Sequence, residues 1–151
     1  MAWIEGTESQ CFQVSASPTE VADYFSDPER FAAAFSQLEH KEKLADGSWR
    51  WTLVGKSEKG ITFQGVYTVQ YQRTADGATW ETTDGNMRST GVVVCAPSKD
   101  GTEVTYTEVL AVDLPIPKLA AKIFRPIVAR EIRAGVGDFL DRSRLILGTP
   151  E

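Results

Sequence analysis

Two carboxylates stand at positions where the surrounding pattern calls for apolar side chains. Glu131 lies in the stretch Leu119 to Leu147, whose residues Phe124, Ile127/Val128, Ile132, Val136, Phe139/Leu140 and Leu147 recur close to helical spacing. It follows Phe124 by seven residues and Ile127 by four, near the middle of that face. A carboxylate buried there needs hydrogen-bond partners, and desolvation raises its pKa unless a cation offsets it. It therefore either contacts a ligand, or forms a structural ion pair, or reaches the rim through a slight rotation of the helix. Glu108 shares a period-two face with Val104, Tyr106, Leu110 and Val112, whereas Glu103, Thr105 and Thr107 form the solvated face. Carboxylates in unlike surroundings can divide the roles of acid and base, with Tyr106 as a further proton donor. The alternative for Glu108 is polarity near a sheet edge, or a pairing with Arg88.

The aromatic residues Trp51, Phe63, Tyr67, Tyr71, Trp80 and Tyr106 recur on alternating strand positions. Such rings offer broad apolar walls and a few directional hydrogen bonds, which suits a small-molecule pocket as well as a filled core. Gly135 and Gly137 each cost about 1 kcal/mol relative to Ala inside a helix. Their missing side chains either admit a close strand or leave room for a ligand. Met87 and Arg88 follow the Asp84-Gly85-Asn86 turn and are placed at the pocket mouth, where Arg88 either holds an anionic ligand end or is simply solvated. With Phe124 and Phe139 from the helix, these residues make the candidate binding set.

Other chemistries find little footing. His40 is the only histidine and lies in the charged run Glu39-His40-Lys41-Glu42, which reads as an exposed edge strand. No Gly-x-Ser-x-Gly elbow supports a nucleophile. His40 with Glu42 is too small a ligand set for zinc. Gly135-Val136-Gly137 lacks the third glycine and the preceding strand of a dinucleotide fingerprint. No metal site and no cofactor is expected.

The elements that must position these residues follow from local signals. A strand is expected over Glu5 to Val14. Ser17-Pro18-Thr19-Glu20 then supplies an N-cap, a proline at the first helical position and a capping-box glutamate. Asp27-Pro28 starts a second short helix, bent against the first because Pro28 interrupts the pattern. From Leu38 to Val112, turns at Asp46-Gly47, Lys59-Gly60, Asp76-Gly77, Asp84-Gly85 and Asp100-Gly101 separate period-two segments. Short links of this kind make an antiparallel meander. Pro115-Ile116-Pro117 ends it, and the last helix begins, spanning roughly 40 Å at about 1.5 Å per residue. Pro126 should kink that helix, and Gly148 and Pro150 end it.

The chain has 151 residues, 42% hydrophobic and 25% charged, with a formal net charge of −5. This suits one domain, 1–151, with its own core. An acidic chain lacks the basic footprint of general nucleic-acid binding. No apolar run reaches the length of a membrane span. The N-terminus Met1-Ala2-Trp3-Ile4-Glu5-Gly6 has no basic region and apolar block, and Cys11 and Cys95 have no metal-ligand spacing. Free, buried thiols and a cytoplasmic location are the expectation.

The order strand, two short helices, meander, long helix resembles the helix-grip fold and, more specifically, the START-like (SRPBCC) superfamily. That superfamily includes Bet v 1-type ligand binders, polyketide cyclases and coenzyme Q-binding proteins. The residues that carry the likeness are Ala16-Ser17-Pro18-Thr19-Glu20-Val21 with Tyr24-Phe25, Asp27-Pro28-Glu29 with Phe31, Leu114-Pro115-Ile116-Pro117, and the helix from Glu131 to Leu147. The resemblance implies an α+β fold, a seven-stranded curved antiparallel sheet wrapped around the long C-terminal helix. It also implies an apolar small molecule held between them. Three functions are then open. The first is a carrier or sensor for a lipid, isoprenoid or polyketide-like molecule, with Leu114 to Phe124 as a lid able to touch a membrane surface transiently. The second is a cyclase, dehydratase or hydrolase using Glu131, Glu108 or Tyr106. The third is a protein-interaction module with a closed core.

Overall fold

The computed structural model describes residues 2–150. Strand β1 (Ala2–Val14) leads into helices α1 (Pro18–Ser26) and α2 (Pro28–Phe31), and α2 runs into a 3-10 turn at Ala32–Ala34. Strands β2 (Leu38–Lys43), β3 (Trp49–Leu53), β4 (Lys56–Glu58), β5 (Ile61–Phe63), β6 (Val66–Thr74), β7 (Gly77–Gly85), β8 (Met87–Ser98) and β9 (Gly101–Leu114) follow. A 3-10 turn at Lys118–Ala120 precedes α3 (Ala121–Leu147). Helix capping is as the sequence dictates. Ser17 is extended and its hydroxyl accepts from the Glu20 N–H at 3.2 Å, while Asp27 accepts from the Glu29 N–H at 3.1 Å.

Seven strands form one antiparallel sheet in the order β1-β9-β8-β7-β6-β3-β2, and β4 and β5 form a separate hairpin. The first strand begins three residues before the expected Glu5, because Ala2 to Ile4 continue the ladder with β9 down to Leu114. Between the turns at Lys59-Gly60 and Asp76-Gly77 the chain forms two strands, β5 and β6, interrupted at Gln64-Gly65. There the Gly65 carbonyl accepts from the Leu53 N–H at 2.8 Å, and a Cβ on Gly65 would collide with the Met87 sulfur. Register shifts at Leu38/His40 and Thr68/Val69 mark bulges, which bend strands and help a sheet to curve.

Helix α3 crosses the concave face. Its buried residues Phe124, Val128, Ile132, Val136, Leu140, Ser143 and Leu147 make one stripe at helical spacing. The close approach of helix and sheet occurs at Gly6 of β1, where a Cβ would come within 3.0 Å of the Ile132 Cδ1. The C-terminal end of α3 is anchored by Ser15 and Ala16, whose N–H groups donate to the Gly148 and Leu147 carbonyls at 3.0 Å each. Inside the core, the Tyr24 and Ser143 hydroxyls share a 2.8 Å hydrogen bond that ties α1 to α3. The N-terminal half of α3 has no such partner in α1 or α2, and a space opens beneath it.

The outer edge strand β2 is largely exposed and carries His40. Both cysteines are free. Cys95 is buried, and burial pushes its thiol up to about 11. Cys11, expected to be buried as well, is exposed, because it lies on the outward face of β1 opposite Thr105.

Candidate functional site

A cavity of about 230 Å³ lies between the sheet and the N-terminal half of α3. Its floor comes from β6 to β9 through Tyr67, Tyr71, Trp80, Met87, Ser89, Tyr106, Glu108, Leu110 and Val112. Its roof is Phe124, Ile127, Val128, Ile132, Gly135, Val136 and Phe139 of α3. Phe25, Phe31 and Phe35 close one end, and the β4–β5 hairpin with Phe63 and Ile61 flanks the other. The exposed members of the lining, Val54, Lys56 and Glu58, all lie beside that hairpin, which therefore marks the mouth.

Most of the candidate set meets here. Phe63, Tyr67, Tyr71, Trp80, Met87, Tyr106, Phe124, Glu131, Gly135 and Phe139 all line the cavity. Trp51 does not. It is fully buried behind the wall, stacks on Trp49 at 5.6 Å, and donates its indole N–H to the Tyr71 hydroxyl at 2.8 Å. Arg88 is on the opposite face of the sheet, its guanidinium 4.0 Å from the centre of the Trp3 ring. Strand alternation decides this, since Met87 and Ser89 take the inward positions and turn Arg88 outward. The pairing of Arg88 with Glu108 is thereby excluded.

The two carboxylates occupy opposite environments. Glu131 sits at the mouth, its side chain 41% exposed, with one oxygen 2.8 Å from the Lys56 ammonium. Arg130 bridges from it, 3.5 Å from Glu131 and 3.7 Å from Glu58. The Lys56 hydrogen bond holds the Glu131 carboxyl below the ordinary range. It forms an ion pair, one of the roles open to it from sequence, and does so at the rim. Glu108 is enclosed, and the surface it retains opens on the cavity it lines. Among the described residues no cation lies within ion-pair distance of it. Its oxygens accept from the Ser89 hydroxyl at 2.5 Å and the Tyr106 hydroxyl at 2.7 Å. Desolvation pushes its carboxyl above the ordinary range, and those two bonds hold the shift back.

Ser89 is absent from the candidate set that the sequence suggests, yet it organises this network. Its hydroxyl accepts from the Trp80 indole N–H at 2.9 Å and passes its own proton towards Glu108. Its backbone is held by Thr82, whose hydroxyl accepts from the Ser89 N–H at 2.7 Å and donates to the Ser89 carbonyl at 3.1 Å. The available signal is the alternation Met87, Ser89, Gly91, Val93, Cys95, which puts a hydroxyl in an otherwise apolar inward row. Gly91 is there for space, since a Cβ would enter the Trp80 ring. The helix-borne rings Phe25, Phe31 and Phe35 are also missing from that set, because helical spacing alone does not say which sheet residues they will meet.

The phenols complete the inner wall. Burial raises the Tyr67, Tyr71 and Tyr106 hydroxyls above the usual tyrosine range, and the nearby Glu108 adds to this. All three stay protonated at neutral pH. Helix glycines divide in two. A Cβ on Gly135 would meet nothing nearer than the Gln37 amide at 3.8 Å, and one on Gly137 would meet nothing within 4 Å. Gly135 lines the cavity and Gly137 does not, so neither admits a close strand.

Residues 7–143 match the model of the family described as polyketide cyclase / dehydrase and lipid transport. No curated protein sequence matches the chain significantly. Among solved structures, a protein of Thermus thermophilus has a TM-score of 0.67 at 20% identity, covering 94% of this chain and 97% of its own. A START superfamily protein of Mycobacterium smegmatis has 0.64 at 16% identity, covering 93% and 96%. Norcoclaurine synthase of Thalictrum flavum, in complex with dopamine and hydroxybenzaldehyde, has 0.57 at 15% identity, covering 96% and 88%. At these identities the structures establish the shared fold, and the family match extends over nearly the whole sequence. The chain belongs to the polyketide cyclase / dehydrase and lipid transport family.

Proposed function

We propose that this protein binds a small hydrophobic molecule, a lipid, isoprenoid or polyketide-like compound, as a carrier or sensor. The observation that carries this is the cavity itself, whose walls are aromatic and aliphatic and whose polar groups are few. At about 230 Å³ it is slightly below the roughly 300–1,000 Å³ of drug-sized pockets, so the occupant is compact. The complex of a structurally similar synthase with dopamine and hydroxybenzaldehyde agrees with an occupant of that size. Purified protein, denatured and extracted, should release such a molecule to mass spectrometry, or the empty protein should bind an apolar dye. A protein that does neither would sink this reading. An open cavity also speaks against the closed core of a pure protein-interaction module.

The transient membrane contact through Leu114 to Phe124 has its own support. Leu119 is 95% exposed and Ile123 59%, and Lys118, Lys122 and Arg125 surround them, unpaired among the described residues. Apolar side chains ringed by cations suit transient contact with an anionic membrane surface. Among the described residues, no helix is long and apolar enough to cross a membrane.

A second reading, catalysis inside the same cavity, is favoured by one observation, the Ser89–Glu108–Tyr106 network at the inner wall. A buried carboxyl with its pKa raised by desolvation, in contact with a bound substrate, can exchange a proton with it. Of the two carboxylates, Glu108 is suited to this and Glu131, neutralised by Lys56, is not. If turnover of a bound molecule is found and survives Glu108→Gln, the carboxylate mechanism is wrong.

A further inference from the structure

The interior of the cavity is chemically one-sided in a way that restricts the polar end of its occupant. Tyr67 is only 5% exposed, and its hydroxyl has no protein hydrogen-bond partner among the described residues. It is not sealed off either, since the one buried side-chain atom left without a partner among the described residues is the Asp113 Oδ1. The Tyr67 hydroxyl therefore opens on the cavity that the ring lines. Tyr71 accepts from the Trp51 indole and gives its own proton to no protein atom among the described residues. Beside these two free donors stands Glu108, with one bond to each oxygen and acceptor capacity to spare.

No positive charge among the described residues balances this wall. The cations that line or flank the cavity, Lys56 and Arg130, are at the mouth and already engaged by Glu131 and Glu58. An anionic head drawn inside would lose its hydration, face Glu108 and find no counter-charge. An occupant without any polar group would leave the buried Tyr67 phenol and the half-buried Tyr71 phenol without acceptors, at a cost.

Building on the ligand-cavity reading, we infer that the inner wall selects an uncharged, oxygen-bearing head group, a phenol, alcohol or ketone. Tyr67 and Tyr71 donate to its oxygen, and Glu108 accepts from its hydroxyl where one is present. Carboxylate and phosphate heads are rejected. Ligand specificity thus rests on residues at the closed end, while the charged residues at the mouth leave it unaffected.

Isothermal titration at pH 7 with four probes of one ring system tests this: naphthalene, 2-naphthol, 2-naphthoate and naphthylmethylammonium. The expected order places 2-naphthol at least about tenfold tighter than the other three. Tyr67→Phe should weaken 2-naphthol about three- to tenfold and leave naphthalene unchanged, with the double variant Tyr67→Phe/Tyr71→Phe losing more. The wild-type series stands by itself if a variant fails to fold. Equal affinity for naphthalene and 2-naphthol overturns the inference while leaving the cavity reading intact. Tighter binding of naphthoate overturns it by showing a hidden cation site, and tighter binding of the ammonium by making Glu108 a counter-ion. If none of the four binds and no apolar dye binds, the cavity reading itself falls.

Discussion

Glu108 is the residue on which the interior chemistry turns, and its environment has a cost that can be measured. A carboxyl whose pKa is raised on folding binds its proton more tightly in the native state than in the unfolded chain. Its stabilising contribution is therefore fully present below the ordinary carboxylate range and is lost as pH rises through the raised value. Glu131, Asp46 and Asp138 are shifted downward and slope the other way at acid pH, so the comparison must be between wild type and Glu108→Gln. The variant should gain stability relative to wild type as pH rises from the ordinary carboxylate range through the raised value. Urea unfolding at a series of pH values reads this directly. A constant difference would mean that the Glu108 carboxyl titrates in the native state as it does in the unfolded chain.

At the scale of elements, the weakly held parts are the β4–β5 hairpin and the first half of α3. Hairpin and helix meet through Lys56–Glu131 and Arg130–Glu58, half-exposed pairs worth roughly 0–1 kcal/mol each. A latch so weak closes the mouth without locking it. Lys56→Ala, or about 1 M salt, should speed release of a bound dye several-fold with little change in stability, as stopped-flow displacement would measure. Release unaffected by either would place the exit elsewhere, for instance at Leu114–Phe124. The helix glycines separate stability from binding. Gly137→Ala and Gly135→Ala meet no clash, so each should add up to about 1 kcal/mol to stability. Only Gly135→Ala, and more strongly Gly135→Leu, should weaken ligand binding, because only Gly135 faces the cavity.

For the molecule as a whole, the cavity means that the apo protein forgoes packing that other domains of its size enjoy. One half of α3 is seated on β1 and α1 with buried Leu140, Ser143 and Leu147, and the other half roofs the space. A ligand that fills the space binds the native state alone. At a hundredfold excess over its dissociation constant it should add about 2.7 kcal/mol. For a chain of 151 residues this corresponds to a rise of roughly 5–10 °C in melting temperature. Differential scanning fluorimetry with an apolar candidate would detect it. No rise at saturating concentrations would mean that the probe does not bind the native state in preference to the unfolded chain.

The sequence by itself determined the helices, most of the strands and their order, but not the separate β4–β5 hairpin. Ser17-Pro18 and Asp27-Pro28 start their helices through interactions within three residues, and period-two and helical patterns do not depend on partners far away. It also determined that Glu108 faces inward, since a strand's alternation assigns a side to every residue once its neighbours are apolar. What it left open were facts about pairs of elements. Whether Glu131 meets a ligand or a cation depends on a hairpin 75 residues earlier in the chain, which brings Lys56 to 2.8 Å. The place of Arg88 beside a turn suggests the pocket mouth, and only the register of β8 against β9 turns it to Trp3. Trp51 belongs to the right face but lies one ring behind the wall, because Tyr71 stands in front of it. The long helix is local in origin, but the space beneath it is bounded jointly by α3, strands β6 to β9 and the β4–β5 hairpin, a property of the assembled fold that no stretch of sequence contains.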